Sequence, residues 1–153
     1  MWATGVKASG GGFSSYLNTT FPGAGTMVTG EYTKCPFEVI KYDNDDEVDI
    51  VTNGRWDVAA DGFYHLTAQA TLKNMGNGDT IGAILKIYKN NVPLCQSPNG
   101  KAVSSSPNWT KCQVNHSVQL SAGDYIECFF WHNHGGNLIL EGQENSFAAE
   151  RFA

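Results

Sequence analysis

Phe63-Tyr64-His65-Leu66-Thr67-Ala68-Gln69-Ala70-Thr71-Leu72 decides the fold class. Tyr64, Leu66, Ala68, Ala70 and Leu72 fall on one side of an extended chain, and His65, Thr67, Gln69 and Thr71 on the other. A period of two with one apolar side marks a half-buried strand of an antiparallel sheet. The pattern returns in Ile81–Tyr88, with Ile81, Ala83, Leu85 and Ile87 in phase. It returns again in Trp109–Leu120, with Cys112, Val114, His116, Val118 and Leu120 in phase.

Turn formers separate these runs: Asn53-Gly54, Asp61-Gly62, the cluster at 74–79, Asn90-Asn91, Ala122-Gly123-Asp124 and His134-Gly135-Gly136-Asn137. Between them lie further extended segments at Phe37–Lys41, Val48–Thr52, Arg55–Ala59, Val92–Gln96, Tyr125–Asn133, Leu138–Leu140 and Ser146–Phe152. About ten short strands without a helical period predict an all-β antiparallel sandwich or jelly roll. Residues 9–34 are rich in Gly, Ser and Thr and read as a long surface loop, with room for a short hairpin. Ser97–Asn108 is polar, holds two prolines and reads as a second loop.

Composition agrees. A chain of 153 residues has the size of one domain. Charged residues make up 16%, against roughly 25% in ordinary soluble domains. With 17 glycines, this disfavours a helical bundle. A hydrophobic share of 41% and a net charge of −5 disfavour disorder. A pI near 5.2 argues against nucleic acid as a partner. The strongest apolar run, Cys128-Phe129-Phe130-Trp131, is strand-sized, so no membrane insertion is expected. Met1–Lys7 lack the basic and apolar regions of a secretory leader.

Several motifs acquire meaning in order. Thr52-Asn53-Gly54-Arg55-Trp56-Asp57-Val58, followed by Asp61-Gly62-Phe63-Tyr64-His65-Leu66, resembles the central signature of C1q-like domains. Ala122-Gly123-Asp124-Tyr125-Ile126 resembles the Ala-Gly-Asp turn of that family, and Ser146-Phe147 its closing strand. The apolar segment Trp2–Ala8 would then be the first strand, beside the last. The resemblance spans nearly the whole chain and extends to tip domains of bacterial and phage fibres. It implies a ten-strand jelly roll of the C1q/TNF type, assembled as a homotrimer. It also implies a non-enzymatic recognition or adhesion domain, extracellular or on the surface of a cell or virion, that binds a surface glycan or protein.

The residues suggest where such functions would sit. In Tyr125–Asn133, an inward phase for Ile126, Cys128 and Phe130 turns Tyr125, Glu127, Phe129 and Trp131 outward. Tyr125, Phe129 and Trp131 would make an apolar patch large for a monomer surface, so a trimer interface is expected there. The alternative is a covering loop such as 9–34. Ligand contacts are expected at Trp109, Asn108 and Tyr16, read as loop residues whose rings stack on sugars and whose amide orients hydroxyls.

The loop at 43–49 holds five of the fifteen acidic residues. Asp43, Asp45, Asp46 and Asp49 are oxygen donors suited to Ca²⁺, against the plainer reading of a solvated acidic loop. His132-Asn133-His134 puts two imidazoles on one side of an extended segment, a transition-metal half-site of the kind found in cupins. His116 is expected as a core histidine. The four cysteines form no CxxC pair; Cys95 and Cys112 could bridge if their strands pair, or all four could be buried thiols. Two further functional readings therefore stand beside recognition: a trimerisation or capping module without a ligand, and a cupin-like metalloenzyme built on His132 and His134.

Overall fold

The alternating segment is the centre of the structure, a computed structural model that describes residues 12–16, 28–35, 39–43, 48–49, 53–73, 80–98, 100–103, 109–135, 139–140 and 144–153. Among these residues there are thirteen strands and no helix. They are β1 (Gly12–Tyr16), β2 (Thr33–Lys34), β3 (Val39–Asp43), β4 (Val48–Asp49), β5 (Arg55–Asp57), β6 (Gly62–Lys73) and β7 (Thr80–Lys89). They continue with β8 (Val92–Gln96), β9 (Gly100–Val103), β10 (Trp109–Leu120), β11 (Tyr125–His132), β12 (Ile139–Leu140) and β13 (Ser146–Arg151).

The strands form two antiparallel sheets. The first has the order β10-β6-β13-β1-β3, with β12 also on β6. The second has the order β4-β5-β11-β7-β8, with β2 also on β11 and β9 on β7. β6 and β10 pair over twelve residues without a slip, from Trp109 opposite Lys73 to Leu120 opposite Gly62. Such a register is strongly specified, because a shift of one residue would turn every apolar side chain to the wrong face.

The core lies between the sheets. Tyr64, Leu66, Ala68, Ala70 and Leu72 of β6 are all buried, in the phase that the sequence predicts. Trp56, Leu85, Ile87, Ile126 and Phe130 meet them from the second sheet. Trp56 and Tyr64 touch edge to face at 5.2 Å, and the Tyr64 hydroxyl donates to the Ala60 carbonyl at 2.7 Å. Burial of each large side chain contributes roughly 1.5–3 kcal/mol.

The structure departs from the expected loops. β1 and β2 lie within the predicted 9–34 loop, and β9 lies within the predicted 97–108 loop. Gly12–Tyr16 has too few apolar residues to show a phase, yet it pairs with β13 on one side and β3 on the other. Pairing partners override weak local preference. The place beside the last strand, expected for Trp2–Ala8, is thus held by β1; Trp2–Ala8 itself lies outside the described residues.

At one end of the first sheet residues 152–153 continue the pairing of β13 with β6, and the Phe152 amide donates to the Phe63 carbonyl at 3.0 Å. The Phe63 amide donates to the Ala153 carbonyl at 2.6 Å. A Cβ on Gly62 would stand 2.6 Å from Arg151 and 2.7 Å from the Ala153 oxygen, so this approach requires glycine.

Candidate recognition surface

β11 presents the outward row that its alternation predicts. Ile126, Cys128, Phe130 and His132 are buried in the core, while Tyr125, Phe129 and Trp131 are half-buried on the other side. Across the ladder, Phe129 stands opposite Lys86 of β7 and opposite Lys34 of β2. The row therefore continues sideways. Tyr88 packs edge-on to Phe129 with centroids 4.8 Å apart, and Tyr32 packs edge-on to Tyr88 at 6.5 Å.

Cations cover these rings. The Lys86 ammonium lies 4.3 Å from the centre of Tyr32, the Arg55 guanidinium 4.5 Å from that of Tyr125, and the Lys34 ammonium 6.0 Å from that of Phe129. Contacts of this kind contribute about 0.5–1 kcal/mol at exposed sites. Lys34 also forms an ion pair with Glu127, which is only 7% exposed among the aromatics. Arg55 pairs with Asp57 at 2.9 Å, and this hydrogen-bonded carboxylate raises the guanidinium's pKa further.

The segment 28–35 thus roofs part of the patch. It is anchored by the Gly30 amide on the His132 carbonyl at 2.7 Å and the Thr29 hydroxyl on the His134 carbonyl at 2.5 Å. Residues 28–34 of it belong to the predicted 9–34 loop, and the cover they supply is the alternative to a subunit interface for these aromatics. Nothing in the sequence near Phe129 announces Tyr32 or Lys34; the only local signal is Glu127, an acid in an aromatic row that needs a cation beside it.

The residues expected to touch a ligand are distributed otherwise. Trp109 is the first residue of β10, opposite Lys73, and Tyr16 is the last residue of β1, opposite Ser146. Trp109 opens β10 where the alternating run Trp109–Leu120 begins, at the edge of the expected loop. Tyr16, expected within a loop, stands at a strand end because the closing β13 gives it a pairing partner. Asn108 lies outside the described residues. Two rungs place Tyr16 and Trp109 toward the same end of the first sheet: Gln69 pairs with Ser146, and Lys73 with Trp109.

The acidic loop contributes two described carboxylates. Asp43 accepts the Val48 amide at 2.8 Å, and Asp49 accepts the Asn53 side-chain amide at 2.7 Å. These bonds brace turns. Asp45 and Asp46 lie outside the described residues. Among the described residues no group of three His, Cys, Asp or Glu is placed to hold a metal ion.

The two histidines of the His-x-His motif separate. His132 is fully buried in the core, whereas His134 lies beyond the end of β11 and is half-buried. The strand ends between them, so the expected common side is lost. His116 is half-buried opposite Leu66.

All four cysteines are free; Cys35, Cys112 and Cys128 are buried and Cys95 is half-buried. Cys95 on β8 and Cys112 on β10 belong to different sheets, so the strand pairing that would bridge them does not form. Burial pushes the Cys35 thiol up to about 12 and those of Cys95 and Cys112 up to about 11. Such thiols are inert at neutral pH while the sandwich stays closed. Among the described residues no helix is long and apolar enough to cross a membrane.

No family model matches the sequence, and no curated protein matches it. Solved structures do match the fold. The globular domain of zebrafish complement 1qA covers 94% of this chain with 97% of its own, at 17% identity and a TM-score of 0.61. Murine APRIL covers 94% with 99% of its own, at 11% identity and a TM-score of 0.63. The Eiger TNF of S. frugiperda covers 94% with 92% of its own, at 13% identity and a TM-score of 0.60. At such identities the likeness is one of architecture, and the architecture of this chain is that of the C1q/TNF-like globular domains.

Proposed function

We propose that the chain is a non-enzymatic recognition domain that works as a homotrimer and binds a surface glycan or protein outside the cell. The observation that carries this reading is the architecture, matched over 94% of the chain by a complement globular domain and two TNF-type proteins. The low charge supports it, because a chain with 16% charged residues has surface suited to burial between subunits. Burial of His132 in the core weighs against the cupin-like reading, since a substrate has no access to that imidazole.

Two measurements test the proposal. Light scattering on the purified chain should give three times the 16.6 kDa chain mass; the mass of a single chain at micromolar concentration would remove the trimer. The trimer is then passed over a glycan array and over intact cells. Retention on a defined sugar class supports glycan recognition, and retention on cells but not sugars supports a protein ligand. Retention on neither leaves a capping module in place of a recognition domain.

A further inference from the structure

The ladder between β2 and β11 brings two thiols face to face. Thr33 pairs with Phe130 and Lys34 with Phe129. One step further, the Cys35 amide donates to the Cys128 carbonyl at 2.8 Å, so Cys35 stands directly opposite Cys128. Opposed residues of an antiparallel pair point to the same face. Both side chains are in fact in the core, at 2% and 1% exposure. Cα atoms of such partners lie about 4.5–5.5 Å apart, inside the roughly 4.4–6.8 Å that a disulfide spans.

The other two cysteines are less well placed. Along the same inward row Cys128 is followed by Ile87 and only then by Cys95, so an isoleucine separates that pair. Cys112 comes from the opposite sheet and directs its sulfur to the Ala83 carbonyl at 3.5 Å. We propose that Cys35 and Cys128 are a cross-strand dithiol that a small-molecule disulfide oxidises to an intrachain disulfide, fastening the 28–35 segment to β11.

The route follows from burial. The closed sandwich shields both thiols, so reaction proceeds through an opened state in which 28–35 lifts off. That segment is peripheral: residues 28–32 are exposed and β2 pairs over only two residues. Peripheral elements of this kind open well below the cost of global unfolding. The Cys35 thiolate attacks one sulfur of glutathione disulfide, giving a mixed disulfide and one glutathione. The Cys128 thiolate then attacks the Cys35 sulfur and releases the second glutathione. Two electrons pass to the glutathione pair, and the two protein thiol protons end on the two glutathiones. The lock would hold Tyr32 and Lys34 over Tyr88 and Phe129, so the redox state of the surroundings sets how firmly the aromatic face is covered.

The experiment incubates the purified chain with glutathione disulfide, with and without mild urea, and maps the peptides without reduction. The expected result is one cross-linked peptide joining Cys35 to Cys128 with two thiols left, formed faster in urea. Melting temperature should rise by about 10 °C and fall back on reduction. Four titratable thiols throughout, stable glutathione adducts alone, or a linked peptide joining another pair would overturn the proposal. Cys35→Ser is the control; a gain on oxidation equal to that of the parent chain would also overturn it. Should that variant fold poorly, the peptide map of the parent chain decides alone.

Discussion

Asp124 shows how much one turn residue can organise. Its carboxylate accepts the Ser121 amide at 2.8 Å and the Asn90 side-chain amide at 2.7 Å, and it meets the Lys89 ammonium at 2.7 Å. Its carbonyl accepts the Val58 amide at 2.8 Å. One residue therefore ties the β10–β11 turn to the β7–β8 hairpin and to the connection between β5 and β6. Burial is the largest single influence on its pKa and pushes it up, but Lys89, the Ser121 amide and Asn90 together outweigh it, and the pKa is lowered. A carboxyl depressed in the folded state stabilises above its unfolded value near 4 and loses that contribution as pH falls through the folded value. Asp124→Asn should cost about 1 kcal/mol at pH 7, a drop of about 2–4 °C in melting temperature. The gap between variant and parent should close as pH falls below the unfolded value and through the lowered folded one. Melting curves from pH 7 downward check this, and a gap that stays constant would remove the charge from the explanation.

At the scale of elements, the decisive unit is the aromatic row of β11 with the segment that covers it. Glu127 is nearly buried, and its ion pair with the partly exposed Lys34 compensates for its desolvation. Lys34→Met keeps the aliphatic stem and removes the charge. It should destabilise by about 1–3 kcal/mol in urea melts, and adding Glu127→Gln should recover most of the loss. Additive losses would show that the pair is incidental.

The row itself was legible, because a period of two carries its own phase: Phe130 in and Phe129 out follow from position alone. β6, β7 and β10 were legible for the same reason, as was the Asn90-Asn91 turn, where φ values of 50° and 66° require residues tolerant of the left-handed region. The cover was not. Lys34 and Phe129 are far apart in sequence, and only the closed sheet brings them together. β1 and β9 escaped notice because strands with few apolar residues exist by virtue of their neighbours. Tyr16 reads as a loop residue because the strand partner that holds it, Ser146, lies elsewhere in the chain.

The whole molecule offers two broad faces for assembly, and they differ in character. The outer face of the second sheet is aromatic, but its rings already have partners: Tyr88 against Phe129, Arg55 over Tyr125, Lys86 over Tyr32, with Glu127 and Asp57 paired. Burial of Tyr125, Phe129 and Trp131 is half accomplished within one chain. The outer face of the first sheet is built on the two longest strands and carries His65, Thr67, Gln69, Gln113, Asn115, Ser117 and Gln119 with few charges. Its polar groups are matched to one another, as in Thr67 to Asn115 at 3.1 Å and His65 to Ser117 at 3.2 Å. At its end Phe63 and Phe152 lie together at 6.3 Å, 45% and 61% exposed.

A weakly charged face edged by exposed phenylalanines is the better substrate for a subunit contact, since interface cores are depleted of charge and enriched in aromatics. Two variants separate the faces. Asn115→Lys with Ser117→Lys places two cations on exposed positions of β10, where a monomer tolerates them and a buried interface does not. Phe129→Ser with Trp131→Ser strips the aromatic row. Light scattering should find the lysine pair at the mass of one chain with its melting curve still cooperative. The serine pair should keep the mass of the parent chain's assembly and melt earlier. The reverse outcome would return the interface to Tyr125, Phe129 and Trp131, and the covering segment 28–35 would then have to move aside when subunits meet.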